Sequence, residues 1–194
     1  MRRFSGILLA FLYALHAGAA DQPDALLQEI SQQLAKQTHL QVDFIQTKEM
    51  AALKKPLVMK GALLYSKADG VIWQLNSPYR VRYEFNGQSV VETNAAGERR
   101  ERRAEDTPAI AQISNIFKAI LSADHALLAQ HFTIGATGSI RQWEMHLTPK
   151  SAYLRKAMTE IVMTGNQSVD GVKIYEANGD HTDIRFLTPH VADQ

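Results

Sequence analysis

The 194-residue chain is predicted to be mainly β with some α: a single strongly curved antiparallel sheet, or incomplete β-barrel, closed by a helical lid. Three observations predict this class. Apolar and polar residues alternate along most of the chain, as in strands with one dry face. Turn signals such as Asn86-Gly87 separate these stretches. Two stretches with helical spacing interrupt the series, and a series of one-sided strands must curl to bury its dry face.

The predicted elements follow the change of period along the chain. Leu26, Leu27, Ile30 and Leu34 indicate an opening helix, and helical spacing returns over residues 107–121 and 123–130. Gly135 to Gly138 is interpreted as a hairpin turn. The predicted strands cover residues 40–44, 60–65, 71–75, 79–85, 88–93, 132–134, 141–147, 157–163, 173–177 and 182–187.

Composition excludes several classes of function. There are 21 basic and 20 acidic residues, so no general charge attracts nucleic acid or an acidic membrane. Without cysteine, the chain has no disulfide, no thiol nucleophile and no iron–sulfur cluster. With 45% hydrophobic residues, it is long and apolar enough to form one domain with its own core.

The first twenty residues have the pattern of a secretory signal peptide. Arg2 and Arg3 precede a short apolar run at 7–15, and small residues end at Ala19 and Ala20. We therefore expect residues 1–20 to be removed and 21–194 to form a single domain. Because no cysteine follows the cleavage region, the mature chain has no site for a lipid anchor. A soluble periplasmic protein is the simplest expectation.

No motif for catalysis or cofactor binding is present, so we expect no enzyme, no cofactor and no metal. His181 and Asp183 could share a strand face as metal ligands, but no other ligand completes a set, and a solvated turn is the preferred interpretation. The run from Arg99 to Arg103 contains four arginines, which Glu98, Glu101, Glu105 and Asp106 offset. We interpret it as a strand edge protected by charge, with a docking surface for a partner protein as the alternative.

Aromatic and methionine side chains are concentrated on the predicted dry faces. They could fill an ordinary core, or they could line an adaptable cavity for a flexible apolar ligand, which we favour because helices are inserted in the series. The predicted lining residues are Phe44, Trp73, Tyr83, Phe85, Trp143, Met145 and Met163.

The order of these elements resembles the LolA-type periplasmic carriers of outer-membrane lipoproteins, over nearly the whole mature chain. The motifs that carry the resemblance are Asp43-Phe44-Ile45-Gln46, Lys60-Gly61-Ala62-Leu63, Trp73 followed by Pro78, Asn86-Gly87, and Leu147-Thr148-Pro149-Lys150. The resemblance implies an apolar cavity that binds lipoprotein acyl chains or other lipid cargo. It also implies loading by an inner-membrane transporter, delivery to an outer-membrane acceptor, and a monomer that binds no nucleic acid.

The resemblance also implies a lid over the cavity. Its underside is predicted from residues on one helical stripe, namely Ile113, Ile116, Phe117 and Ile120. Where the family has an arginine that helps to hold the lid shut, this chain has Lys67, and Val71 replaces an aromatic residue. Lys67 is therefore predicted to tether the lid by hydrogen bonds to its backbone. A sensor or adaptor that docks a protein and carries nothing is the alternative function.

Overall fold

Residues 22–86, 88–103, 119–120 and 124–187 are described in the computed structural model of the protein. Eleven strands form one sheet, accompanied by the helices α1 (Gln22–Leu34), α2 (His125–His131) and α3 (Ala152–Arg155). The strands are β1 (His39–Glu49), β2 (Leu57–Ser66), β3 (Gly70–Ser77), β4 (Val81–Phe85), β5 (Ser89–Asn94), β6 (Arg99–Arg103), β7 (Phe132–Ser139), β8 (Gln142–Pro149), β9 (Met158–Gly165), β10 (Val169–Glu176) and β11 (His181–Phe186).

The strand order leaves the sheet open. Every pairing is antiparallel, and the order is β6-β5-β4-β3-β2-β1-β11-β10-β9-β8-β7. The chain thus builds outward from β1 to β6, continues at the opposite edge with β7, and returns until β11 pairs with β1. This confirms the predicted incomplete barrel. Strands β6 and β7, which follow each other along the chain, therefore lie at opposite edges of the sheet.

The sheet has two different faces. Its inner face joins α1 in one hydrophobic core, which includes Val42 and Leu63 from the first strands and Leu147 and Ile161 from the last. On α1, Leu27, Ile30 and Leu34 are buried, and the helix packs against β7 and α2. The opening helix and its apolar stripe are therefore confirmed.

Part of the predicted lid also lies in this core. Ala119 and Ile120 have helical backbone, are 1% and 6% exposed, and join the core. The β6–β7 connection therefore reaches the inner face at these two residues. Ile113, Ile116 and Phe117 lie outside the described residues.

Two local predictions are wrong. The predicted strand 79–85 begins two residues too early: β4 begins at Val81, and Tyr79 is 51% exposed after Pro78, which has no N–H to donate to a ladder. The stretch from Gly135 to Gly138 is not a turn, since β7 continues through it to Ser139. Gly138 has φ +94°, and a Cβ there would lie 2.3 Å from the Gln142 carbonyl oxygen. The absence of a side chain at Gly138 therefore allows β7 to lie close to β8.

Candidate functional site

All seven predicted lining residues lie on the inner face. In the first half of the sheet, Phe44, Trp73, Tyr83 and Phe85 come from β1, β3 and β4. Strand register aligns Trp73 with Tyr83 and Val71 with Phe85, so the aromatic side chains occupy neighbouring rows. In the second half, Met145 on β8 pairs with Met163 on β9.

Phe44 and Trp73 form a stacked aromatic pair at the enclosed end of the first group. The rings of Phe44 and Trp73 have centroids 3.9 Å apart at an interplanar angle of 28°. Phe44 is 1% exposed and Trp73 is 8% exposed, so both belong to the closed core. The Phe44 ring covers Gly61, where an added Cβ would lie 2.7 Å from ring atom Cζ and 2.0 Å from the Gln74 carbonyl oxygen.

Tyr83 and Phe85 form the more open end of the group. Both are half-buried, and their ring centroids are 6.5 Å apart. Burial is the main cause that raises the pKa of the Tyr83 hydroxyl, and Glu92 raises this pKa further, while Arg102 lowers it. Tyr83 and Phe85 are therefore the partly exposed members of the aromatic group.

The second group is more tightly enclosed. Trp143, Met145 and Met163 are each at most 2% exposed. The Trp143 indole lies over Gly165, and its Nε1–H donates a hydrogen bond of 2.8 Å to the Asn166 carbonyl oxygen. Five of the seven predicted residues are thus buried core residues in this structure, and Tyr83 and Phe85 have the accessible positions.

Lys67 lies in the turn between β2 and β3 and is exposed. Its backbone N–H donates to the Thr38 carbonyl oxygen at 3.0 Å. Within the described part of the chain, its side chain makes no hydrogen bond or ion pair. The proposed contact between Lys67 and the lid stays a prediction.

The stretch around His181 organises a turn. Asp180 Oδ1 accepts a hydrogen bond of 3.0 Å from the Ala51 N–H, and Asp180 Oδ2 accepts one of 2.9 Å from Asn178. His181 Nε2 lies 3.5 Å from a carboxylate oxygen of Glu49. Among residues 22–86, 88–103, 119–120 and 124–187, no group of three or more His, Asp or Glu side chains could hold a metal ion. These polar groups therefore have structural partners.

The outer face carries an apolar cleft that the sequence pattern did not predict. The register places Leu64, Ile72, Glu84 and Val91 in one row across four strands. These residues and Arg99 line a cleft of about 430 Å³. The available signal was Ile72, an apolar residue between Val71 and Trp73 that strand alternation places on the opposite face.

These features define a class of protein: an open antiparallel sheet whose inner face shares one apolar core with α1 and with Ala119 and Ile120 of the β6–β7 connection. Residues 17–185 match the sequence profile of the family described as outer membrane lipoprotein carrier protein LolA-like, and the chain belongs to this family. Among curated proteins, none matches the chain. No helix within the described ranges is long and apolar enough to cross a membrane.

Two solved structures are similar to this chain. A LolA superfamily protein from Nitrosomonas europaea has a TM-score of 0.48 and 8% sequence identity, with 90% of this chain and 96% of that chain covered. A domain described as an outer membrane lipoprotein-sorting protein, from Vibrio parahaemolyticus, has a TM-score of 0.42 and 7% identity, with 85% of this chain and 91% of that chain covered.

Proposed function

We propose that this protein is a periplasmic carrier that binds the acyl chains of a lipoprotein or another lipid and moves them from the inner to the outer membrane. The family described above supports this role. The observation that carries the proposal is the margin of the core at β4, where Tyr83 and Phe85 are half-buried beside the enclosed Trp73. Binding rather than catalysis is the expected activity.

The physical requirement for a carrier is a reversible apolar site. Each methylene that leaves water contributes roughly 0.8 kcal/mol, so a full acyl chain represents on the order of 10 kcal/mol. For binding to stay reversible, the free-energy cost of opening the protein must therefore be similar to the free energy gained by burying the acyl chain. Ile120 supports a role for the β6–β7 connection in this step, because it is buried on the inner face as part of that connection.

Lipid extraction from the purified protein tests the proposal. We expect a stoichiometric lipid in organic extracts of the wild type and at least about tenfold less in Phe85→Glu, because a carboxylate against acyl chains is costly to desolvate. Tyr153→Glu is the matched control, since Tyr153 lies on α3 and is 62% exposed. Mass spectrometry measures the lipid, and far-UV circular dichroism checks the fold. Unchanged lipid in Phe85→Glu would exclude this binding face.

A sensor or adaptor that docks a protein is the second candidate. The outer cleft lined by Leu64, Ile72 and Val91 is the observation in its favour, because it places apolar side chains away from the inner face. The same extraction separates the two functions. A wild-type protein that contains no lipid, and takes up none from vesicles, supports the adaptor.

A further inference from the structure

The edge of the sheet formed by β6 is strongly basic. Strand β6 has the sequence Arg-Arg-Glu-Arg-Arg, and all five residues are exposed. It is the terminal strand on its side of the sheet, as predicted for a charged strand edge. The whole chain has a formal net charge of only +1, so this strand concentrates positive charge at one edge.

The strand register divides these charges between the two faces. Arg100 pairs with Glu92, which pairs with Tyr83, so Arg100 lies at the end of the inner-face row that contains Trp73 and Tyr83. Arg102 pairs with Val90, which pairs with Phe85. Arg102 therefore ends the neighbouring inner-face row.

Arg99, Glu101 and Arg103 lie on the outer face, because residues alternate along a strand. Of the two neighbouring inner-face rows, one runs from Phe85 through Val90 to Arg102, and the other runs from Tyr83 through Glu92 to Arg100.

The acidic residues near this run do not neutralise both inner arginines. Glu101 contacts Arg103 at 3.7 Å, and Glu98 accepts a hydrogen bond of 2.7 Å from Asn94 in the preceding turn. Glu105 and Asp106, which follow the run in the sequence, lie outside the described residues.

Glu92 is the described carboxylate that shares the inner face with Arg100 and Arg102. The charge of Arg102 acts on Tyr83, whose pKa it lowers against the larger raising effect of burial.

The spacing suits an amphiphile. Alternate residues on a strand are roughly 6.6 Å apart, which lets two guanidinium groups contact one phosphate or carboxylate from both sides. Adjacent strands are about 4.8 Å apart, so Tyr83 and Phe85 on β4 are about 10 Å from β6. An acyl chain that contacts the two rings would place its polar end beside Arg100 and Arg102. Arginine is the side chain best suited to bind a planar or tetrahedral oxyanion.

We propose that Arg100 and Arg102 bind the anionic head group, a phosphate diester or a carboxylate, of the lipid that this protein carries. The inference rests on the proposed carrier function and specifies its cargo: acidic lipids are preferred to zwitterionic or neutral ones. The inner-face rows bind the acyl chains, and the β6 edge recognises the charge.

Calorimetric titration with short-chain lipids below their micelle concentration tests this inference. The probes are dihexanoyl phosphatidylglycerol, dihexanoyl phosphatidylcholine and glycerol phosphate. We expect the wild type to prefer the phosphatidylglycerol by about tenfold, from two partly exposed ion pairs, and the preference to fall with added salt. The double variant Arg100→Gln/Arg102→Gln should bind both lipids equally.

The matched control is Arg99→Gln/Arg103→Gln, which removes the same charge from the same strand on the outer face. This control should keep the preference for the acidic lipid. An equal loss in both double variants would indicate general attraction to the edge and overturn the inner-face site. Binding of glycerol phosphate as tight as that of the acidic lipid would indicate a site for free phosphoesters and also overturn it.

The two proposals fail in different ways. If the wild type binds both lipids with equal affinity, the head-group site is excluded and the carrier function is retained. If it binds neither lipid, the carrier function is excluded together with the head-group site.

Discussion

At the scale of the residue, two aromatic side chains depend on glycines in neighbouring strands. Phe44 covers Gly61 and Trp143 covers Gly165. At Gly165 an added Cβ would lie 2.2 Å from the Ser168 carbonyl oxygen and 2.3 Å from Trp143 Cζ2. Backbone cannot move cheaply within a paired sheet, so both positions exclude a side chain. The large aromatic residues can lie flat on the inner face for this reason.

Gly165→Ala should lower the free energy of unfolding by about 1–3 kcal/mol, the usual cost of overpacking a closed core. Urea denaturation followed by tryptophan fluorescence measures this loss, and the emission of the displaced Trp143 should change in the native state. Gly135→Ala is the control, since nothing lies within 4 Å of its added Cβ. Equal stability of the two variants would contradict the proposed close contact.

At the scale of the element, polar pairs reinforce the strand ladder on the outer face. His146 on β8 contacts Glu160 on β9 through Nδ1 at 2.8 Å and Glu144 on its own strand through Nε2 at 2.8 Å. The hydrogen bond to Glu160, followed by that to Glu144, raises the pKa of His146 above its ordinary 6.5. The imidazolium form is therefore stabilised in the folded protein.

A raised folded pKa gives a definite sign to the pH dependence. The stabilisation is complete below the unfolded pKa of about 6.5 and is lost as the pH rises through the folded pKa. Relative to the wild type, His146→Gln should lower the free energy of unfolding by a few tenths of a kcal/mol near pH 5.5, because the pair is partly exposed. The difference should be smaller near pH 8.5.

Urea denaturation at both pH values measures the effect of His146→Gln, and Glu160→Gln should reduce the same pH dependence in the wild-type background. A larger loss at the higher pH would contradict the assignment, since it would require a lowered pKa for His146.

At the scale of the whole molecule, one core spans both halves of the sheet. The halves are joined where β1 pairs with β11, from Phe44 opposite Phe186 to Glu49 opposite His181. Trp73 in the first half and Trp143 in the second belong to the same core. Neither half can bury its inner face alone, so the sheet is expected to unfold as one unit.

Single-tryptophan variants test this expectation. Trp143→Phe leaves Trp73 as the fluorescent reporter, and Trp73→Phe leaves Trp143. Within each variant, the urea midpoint from fluorescence should coincide with that from far-UV circular dichroism, as for a two-state transition. Separate midpoints in either variant would show that the halves unfold independently.

Much of the fold could be predicted from the sequence because strand and helix periods are local properties. The alternation around Val81, Tyr83 and Phe85 identifies a one-sided strand without knowledge of its neighbours. The stripe of Leu27, Ile30 and Leu34 identifies α1 in the same way. The order of the motifs likewise predicted the LolA-like family, which the profile match shows.

Tertiary structure alone decided which residues share a row and which are accessible. The pairing of β1 with β11 joins segments more than a hundred residues apart, and a shift of one residue would exchange the faces. Only this register assigns Arg100 and Arg102 to the inner face and Arg99 and Arg103 to the outer face. Packing, not periodicity, encloses Trp143 and Met163 while leaving Tyr83 and Phe85 half-buried, because burial depends on what covers a strand.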